Sequence, residues 1–132
     1  MSLTLRWRPE DLVVARFSPD APLPEIPAGA FFSLTRTGAE LSLVIAAEHL
    51  PDGATAVEVG WSAVAVVGPL DFSLVGILSR LSGALAAAGV SIFALSTYDT
   101  DLILVRTVDQ GRAVAALREA GCCFADSAVE AG

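Results

Sequence analysis

The stretch that decides the fold is Phe31–Val44, FFSLTRTGAELSLV, together with its echo Ile92–Val105, IFALSTYDTDLILV. The two segments align without a gap at an offset of 61 residues, and apolar residues match at both ends of the alignment, as in Phe32 with Phe93, Leu34 with Leu95, Leu41 with Leu102, Leu43 with Leu104 and Val44 with Val105. The alignment also matches Glu40 with Asp101. Self-similarity at a fixed spacing indicates one supersecondary unit used twice. The sequence therefore predicts two small units, residues 1–60 and 61–132.

The second half has the clearer pattern of elements. The predicted elements are a strand at Ser62–Gly68, a helix from about Leu74 to Gly89, strands at Val90–Ser96 and Asp101–Arg106, a helix from Thr107 to Ala120, and a strand at Cys122–Ala125. The helix boundaries follow from capping residues and terminal glycines, with apolar residues three and four apart between them. Strand, helix, strand, strand, helix, strand predicts an α+β fold of the ferredoxin-like βαββαβ type. Its antiparallel sheet would carry both helices on one face and leave the other face to be covered.

The first half shows the same frame with reduced helices. Four prolines within Ser18–Gly29 exclude a long regular helix there. Ala46–Leu50 allows only a short helical turn. The predicted strands are an opening strand with alternating Leu3, Leu5 and Trp7, then Asp11–Phe17, Phe31–Arg36, Glu40–Ile45 and Thr55–Val59. We expect the boundary between the units at Gly60-Trp61, and a continuous sheet shared by the two units stays open as an alternative.

Composition narrows the class of protein. Apolar residues make up 54% of the 132 residues, enough for a buried core. The uncharged run Leu81–Tyr98 changes from helical to strand-like spacing, so we interpret it as a buried helix followed by a strand and expect no membrane association. The N-terminal sequence shows no secretory signal, which favours a cytoplasmic location.

Charge and reactive residues argue against several functions. Fifteen acidic and eight basic residues give a net charge of −7, and the basic residues form no dense patch, so nucleic acid is not an expected partner. Cys122 and Cys123 are adjacent in a predicted strand and would point to opposite faces, one buried and one partly exposed. With His49 far away in sequence, they form no metal-ligand set, and no cofactor is expected. No set of nucleophile, base and orienting group is visible, so we expect no enzymatic activity.

Gly68–Val105 resembles the ACT domain, a small regulatory module that binds amino acids. The motifs that carry the resemblance are Gly68–Ser73 before the helix, Gly76–Leu78 at its first turn, and Ser96–Asp101 at the hairpin. The sequence is most similar to the aspartate-kinase-type branch, as in stand-alone bacterial tandem ACT proteins and the cytosolic arginine sensors of animals. The resemblance implies two tandem ACT-like units, of which residues 1–60 form a degenerate one. It also implies that an effector lies between a helix-entry loop and a neighbouring unit.

The resemblance also implies a set of ligand-binding residues. The candidates are Asp71, Phe72, Ser73, Gly76, Ile77, Ser96, Thr97, Tyr98 and Asp101. A glycine at position 76 lets a ligand approach the backbone, and free N–H groups at a helix start suit an α-carboxylate. Ser96, Thr97 and Asp101 offer oxygens for an ammonium group or a polar side chain. Arginine sensors carry an acidic residue at the position of Leu74, so arginine specificity does not transfer.

Structural interpretations of the same residues remain open. Gly76 would equally serve close packing of the helix on the sheet. Asp71 suits a helix cap better than a ligand contact, and Tyr98 suits a solvated turn. The match between Glu40 and Asp101 would equally mark a shared structural hydrogen bond.

These observations lead to one preferred function and one alternative. The preferred function is a non-catalytic regulatory protein that binds an amino acid at an ACT-domain interface of a homodimer. Pairing of two chains would cover the exposed sheet edges or faces. The alternative is a structural or protein-interaction module that has lost ligand binding, which the proline-rich segment of the first half favours.

Overall fold

The computed structural model describes residues 3–67 and 76–125 and divides into two compact units. One unit contains Met1–Pro9 and Ser62–Gly132 and is termed the helical unit. The other contains Glu10–Trp61 and is termed the proline-rich unit.

The described secondary structure confirms the predicted α+β class. In chain order it comprises β1 (Thr4–Trp7), β2 (Leu12–Phe17), β3 (Phe32–Arg36), β4 (Leu41–Ala46), a 3₁₀ turn (Ala47–His49), β5 (Ala56–Val66), α1 (Ile77–Ala87), β6 (Ile92–Ser96), β7 (Asp101–Arg106), a 3₁₀ turn (Thr107–Asp109), α2 (Gln110–Glu119) and β8 (Cys123–Phe124). Neither helix in this part of the chain is long and apolar enough to cross a membrane.

The proline-rich unit has the strand order β3-β4-β2-β5, and all of its pairs are antiparallel. This order is that of a ferredoxin-like sheet. Residues 18–29 form no helix, as the four prolines predict. The guanidinium of Arg36 instead fixes this segment, because it donates to the carbonyl oxygens of Pro19 and Ala21, the latter at 2.6 Å.

The segment 18–29 takes over part of the helix's role in covering the sheet. Its residues Ala21 and Ile26 pack against the buried side chains of one sheet face. Those buried side chains are Val13, Ala15, Phe17, Leu41, Leu43 and Ile45. The core of the proline-rich unit is therefore closed by an irregular loop.

The helical unit contains a strand that the sequence assigns elsewhere. Its strand order is β6-β7-β5-β1-β8, with β1 antiparallel to β5 and parallel to β8. The sequence predicts β1 as the opening strand of residues 1–60, whereas β1 occupies the place beside β5 that the prediction reserves for β8. Alternating apolar residues indicate a half-buried strand but do not identify its neighbour, which explains the difference.

The strand β5 runs through the predicted boundary. The sequence predicts two strands separated at Gly60-Trp61, but Ala56–Val66 is one strand. Gly60 has φ 78°, and the pairing with β2 shifts register at this point, from Leu12 opposite Trp61 to Val14 opposite Glu58. A glycine with left-handed backbone in a strand is typical of a β-bulge, which bends the strand without ending it.

The helix starts differ from the prediction, but the helix ends agree with it. α1 begins at Ile77, and α2 begins at Gln110 after a 3₁₀ turn. The spacing of Thr107 and Gln110 predicts a capping box, but the box does not form, because the Thr107 hydroxyl is bonded to Ser62 Oγ at 2.8 Å. The helices end at Gly89 and Gly121, both with positive φ. Bonds from Val90 N–H to the Leu85 carbonyl and from Cys122 N–H to the Leu117 carbonyl complete a Schellman motif at each end.

The two helices cap each other's C-termini. Arg80 of α1 donates from Nη2 to the carbonyl oxygen of Ala120 at 2.8 Å, just after α2. Arg112 of α2 donates from Nη1 to the carbonyl oxygen of Ala88 at 3.3 Å, just after α1. The start of each helix therefore lies beside the end of the other, and a cation meets the negative end of each helix dipole.

The helical unit has its core between the helices and one face of the sheet. The core side chains are Leu3, Leu5, Val64, Val66, Ile77, Leu81, Leu85, Val90, Ile103, Val105, Ala113, Leu117 and Cys122. Leu102 and Leu104, on the opposite face of β7, are also buried within a single chain. The sequence leaves this face to be covered, and at β7 its residues are buried.

The two hairpins of the predicted repeat correspond at an offset of 60 residues and not 61. Phe32 pairs with Ile45 in one hairpin, and Ile92 pairs with Val105 at the same place in the other. The sequence alignment instead matches Phe32 with Phe93. Since a shift of one residue moves a side chain to the other face of a sheet, the sequence alignment matches residues on opposite faces.

Candidate functional site

The predicted site residues fall into three groups in the structure. Asp71, Phe72 and Ser73 lie outside the described residues, Gly76 and Ile77 lie at the start of α1, and Ser96, Thr97, Tyr98 and Asp101 lie at the β6–β7 hairpin.

Gly76 is the residue before α1 and lies outside its first turn. Its carbonyl oxygen accepts the first helical hydrogen bond, from Arg80 N–H at 2.8 Å. Its φ is 81°, a backbone conformation that favours glycine, and a Cβ at this position would meet no described atom within 4 Å. The left-handed backbone therefore explains the glycine, and the described residues give no support to the close-packing interpretation.

The side chain of Ile77 belongs to the core, which leaves only its backbone for contact with a ligand. Its side chain is only 6% exposed and packs in the cluster beneath the helices. Of the two predicted residues at the start of α1, only Gly76 is exposed.

At the hairpin, the structure brings Ser96 and Asp101 together. They are opposite each other in the last pair before the turn, and Ser96 Oγ donates to Asp101 Oδ1 at 2.7 Å. Thr97 closes the turn: its N–H donates to the Thr100 carbonyl oxygen at 2.8 Å, and its hydroxyl bonds Thr100 at 3.2 Å. Tyr98 lies at the tip and is 82% exposed, as expected for a turn residue.

Thr100 is a site residue that the sequence analysis missed. Its hydroxyl donates to the carbonyl oxygen of Val66 at 2.6 Å, which fastens the turn to the C-terminal end of β5. The hairpin turn therefore lies at the end of the sheet where β5 ends. The feature of the sequence that could have indicated Thr100 is that it is the second threonine of the four-residue turn.

Asp101 also lies on the sheet face that carries the helices. It has the same parity along β7 as Ile103 and Val105, whose side chains belong to the core beneath α1 and α2. Asp101 is half-buried. Its carboxylate therefore lies at the turn end of β7, on the sheet face that the two helices cover.

The proline-rich unit has no equivalent carboxylate. In the structural register of 60 residues, Asp101 corresponds to the buried Leu41, and Glu40 corresponds to Thr100. Glu40 closes its turn with its backbone, because its carbonyl oxygen accepts from Thr37 N–H at 2.9 Å. The inferred equivalence of Glu40 and Asp101 is therefore wrong, and the carboxylate at position 101 is particular to the helical unit.

The cysteines and the possible metal ligands among the described residues suggest no additional site. Cys122 is buried and Cys123 exposed, as predicted. Burial raises the pKa of the Cys122 thiol, while the positive charge of Arg80 acts in the opposite direction. Within the described ranges, no group of three or more His, Cys, Asp and Glu side chains is arranged to hold a metal ion.

Two concave surfaces lie outside the predicted site. An open groove of about 390 Å³ lies between α1 and α2 and is lined mainly by alanines, with Arg112 and Glu119 among the lining residues. A smaller pocket of about 210 Å³ lies in the proline-rich unit, beneath the segment 18–29. Neither surface was predictable from the sequence, because both depend on how helices or loops pack over the sheet.

The family follows from comparison with known proteins. Residues 56–119 match the family model of the ACT domain, and the match includes both helices and the hairpin that bears Asp101. The chain is an ACT-domain protein. A structure from Agobacterium tumefaciens is similar over nearly the whole length, with 32% identity, 95% of this chain and 93% of that chain covered, and a TM-score of 0.86. No curated protein matches the sequence.

The ACT-domain fold is shared with aspartate kinases. The aspartate kinase of Clostridium acetobutylicum matches 89% of this chain with 34% of its own, at 19% identity and a TM-score of 0.66. The regulatory subunit of aspartate kinase from Thermus thermophilus matches 88% of this chain with 95% of its own, at 12% identity and a TM-score of 0.59. The likeness in fold agrees with the predicted aspartate-kinase branch of ACT domains.

Proposed function

We propose that this ACT-domain protein is a non-catalytic regulator that binds an amino acid and acts as a homodimer. The observation that carries the proposal is the half-buried carboxylate of Asp101 at the turn end of β7, on the sheet face that carries the helices. The hairpin of the proline-rich unit provides a comparison within the same chain, because the buried Leu41 occupies in it the position that Asp101 occupies in the helical unit. The pairing that both hairpins share does not explain a carboxylate that only one of them carries, and this supports a role in binding.

The proposed ligand lies between the hairpin and the start of α1. Its ammonium group meets Asp101, whose Oδ1 already accepts from Ser96 and whose other oxygen has its own acceptor sites. Its α-carboxylate meets backbone N–H groups of residues 72–77, most of which lie outside the described residues, at the positive end of the α1 dipole. Ser96 holds the carboxylate of Asp101 in place, so the ligand finds its partner already oriented.

The first experiment is a thermal-shift screen against the twenty amino acids. An amino acid that binds only the native state raises the midpoint of unfolding by mass action. If no amino acid raises the midpoint at millimolar concentration, the alternative of a protein-interaction module without a ligand replaces the proposal. Light scattering at micromolar protein concentration tests the homodimer separately, and a monomer contradicts that part.

The second experiment locates the site by calorimetry with the amino acid that the screen identifies. Asp101→Asn keeps an oxygen for Ser96 but loses the charge, and we expect binding to weaken by about 1.5–3 kcal/mol, or roughly ten- to a hundredfold. The matched control is Asp99→Asn, an exposed acid in the same turn, which should leave the affinity unchanged. Equal affinities for both variants and the wild type would show that the pocket is misplaced.

Gly76 needs a variant chosen for its backbone. Gly76→Val would place a β-branched residue at φ 81°, and loss of folding would then be mistaken for loss of binding. Asn tolerates this conformation better than other residues with a side chain. We therefore expect Gly76→Asn to fold, by circular dichroism, and to bind the amino acid more weakly than the wild type.

A further inference from the structure

The pocket in the proline-rich unit exists because a loop stands where a helix would cover the sheet. The buried side chains of Phe17 and Leu41 belong to both its lining and the core, and they form its floor. The walls come from the proline segment and from the loop before β5. The remaining lining residues are Ala21, Pro22, Leu23, Pro24, Pro51, Asp52 and Gly53.

The walls of the pocket are held in one conformation before anything binds. Three of the lining residues are prolines, whose φ angles are fixed. Arg36 fastens the segment beside them through the carbonyl oxygens of Pro19 and Ala21. A pocket that is already ordered loses little conformational entropy when it is filled, which favours binding.

The size of the pocket indicates what part of a partner enters it. Its volume is about 210 Å³, below the range of roughly 300–1,000 Å³ that is usual for small-molecule sites. Since a cavity of about 150 Å³ accepts benzene, one side chain of the size of Phe or Leu fits well. A single buried anchor of this kind is typical of protein–protein contacts.

The rim also favours a macromolecule over a small molecule. Leu23 lines the pocket and yet is 66% exposed, so apolar surface extends beyond the cavity. A ligand confined to the pocket would leave much of this surface in water, whereas a polypeptide crossing the rim would cover it. Asp52 lies at the same pocket with an exposed side chain, and the net charge of the chain is −7. These charges attract a basic partner and repel an acidic one.

We propose that this pocket docks a segment of a partner protein in which one Phe or Leu is flanked by Lys or Arg. The apolar side chain enters the space above Phe17 and Leu41, the backbone of the segment covers Leu23, and a basic residue meets Asp52. None of these residues belongs to the proposed amino-acid site. The two sites therefore fail or succeed independently in experiments.

The test uses a synthetic peptide with blocked ends, Gly-Lys-Phe-Lys-Gly, added to the isotope-labelled full chain. We expect saturable changes in the amide resonances of Ala21, Leu23, Asp52 and Gly53. A peptide with Ala in place of Phe should produce no saturable change, because the anchor is lost. A peptide with Glu in place of both Lys should bind more weakly, because Asp52 then faces like charge.

Two variants with matched controls complete the test. Leu23→Asp should weaken binding of the Phe peptide about tenfold by removing the apolar rim. The control is Val108→Asp, which also replaces an exposed apolar residue by aspartate. Val108 is 92% exposed and lies in the helical unit, so this variant should bind the Phe peptide as tightly as the wild type does. Asp52→Asn should weaken binding about two- to fivefold, as expected for an exposed ion pair, whereas Asp20→Asn in the same unit should not.

Two outcomes would overturn the docking proposal. The first is the absence of saturable resonance changes at millimolar Phe peptide with a folded protein. The second is binding of 2-phenylethylamine at the same resonances as tightly as the peptide, which would mean that the pocket takes a small amine and not a protein segment.

Discussion

Replacing Arg80 with Met tests the mutual capping of the two helices. The exchange keeps most of the apolar stem and removes the donor to the Ala120 carbonyl oxygen, a bond of 2.8 Å in a partly buried place. Hydrogen bonds that involve a charged group contribute about 1.5–3 kcal/mol, and a cation at a helix C-terminus contributes about 0.3–1 kcal/mol, partly through the same bond. We therefore expect the free energy of unfolding to fall by about 2 kcal/mol.

The matched control is Arg112→Met at the other end of the helix pair. Arg112 makes a longer bond of 3.3 Å to Ala88, and its side chain is more than half exposed, as is typical of weak surface interactions. It also pairs with Asp109 at 2.5 Å, and the Asp109 side chain is partly buried while that of Arg112 is exposed. We expect a loss of about 0.5–1 kcal/mol for this variant.

Urea denaturation followed by far-ultraviolet circular dichroism measures both variants. Both described α-helices belong to the helical unit, so the helical signal reports this unit. The mutual capping is refuted if Arg80→Met lowers the free energy of unfolding by less than about 0.5 kcal/mol, or by no more than Arg112→Met does. In either case the distance and burial of the two hydrogen bonds would not decide how strongly each arginine stabilises the helix end that it caps.

Other predictions concern the helix ends and the cysteines. Gly121→Ala should lower the free energy of unfolding by about 1–2 kcal/mol, because φ is 98° and a Cβ would lie 3.2 Å from Arg80 Nη2. Gly83→Ala in the middle of α1, where a Cβ meets no described atom, should instead raise it by about 0.5–1 kcal/mol. Iodoacetamide should modify Cys123 well before Cys122, as mass spectrometry of a time course would show. Burial raises the pKa of the Cys122 thiol, so the folded state favours the protonated form. The contribution of this thiol to the free energy of unfolding should therefore be lost as the pH rises above the ordinary thiol range, and Cys122→Ala should remove this dependence of stability on pH.

Local patterns in the sequence were sufficient for most elements of this fold. Prolines in residues 18–29 exclude a helix whatever surrounds them, and the structure has none there. Gly89 and Gly121 end the helices because only a residue that tolerates positive φ fits there. These predictions succeeded because their physical causes lie within a few residues of each other.

Helix starts and strand neighbours required tertiary information. Thr107 has the sequence of a helix cap, but its hydroxyl is engaged by Ser62, which is distant in sequence. The alternation of Leu3, Leu5 and Trp7 predicts a strand, yet only the assembled sheet shows that it pairs with β5. Both differences arise from competition between a local preference and a partner brought close by folding.

The error of one residue in the repeat changes the interpretation of Asp101 most. Sequence similarity favours an offset of 61, because it matches Leu with Leu and one acid with another, but the second strand of each hairpin is apolar on two faces. Burial on both faces of β4 and β7 therefore removes the alternation that would have fixed the register. The backbone pairing fixes the register, and in that register Glu40 is not the equivalent of Asp101. A shared structural hydrogen bond then no longer explains the carboxylate, and the case for a ligand at this position becomes stronger than the sequence alone allowed.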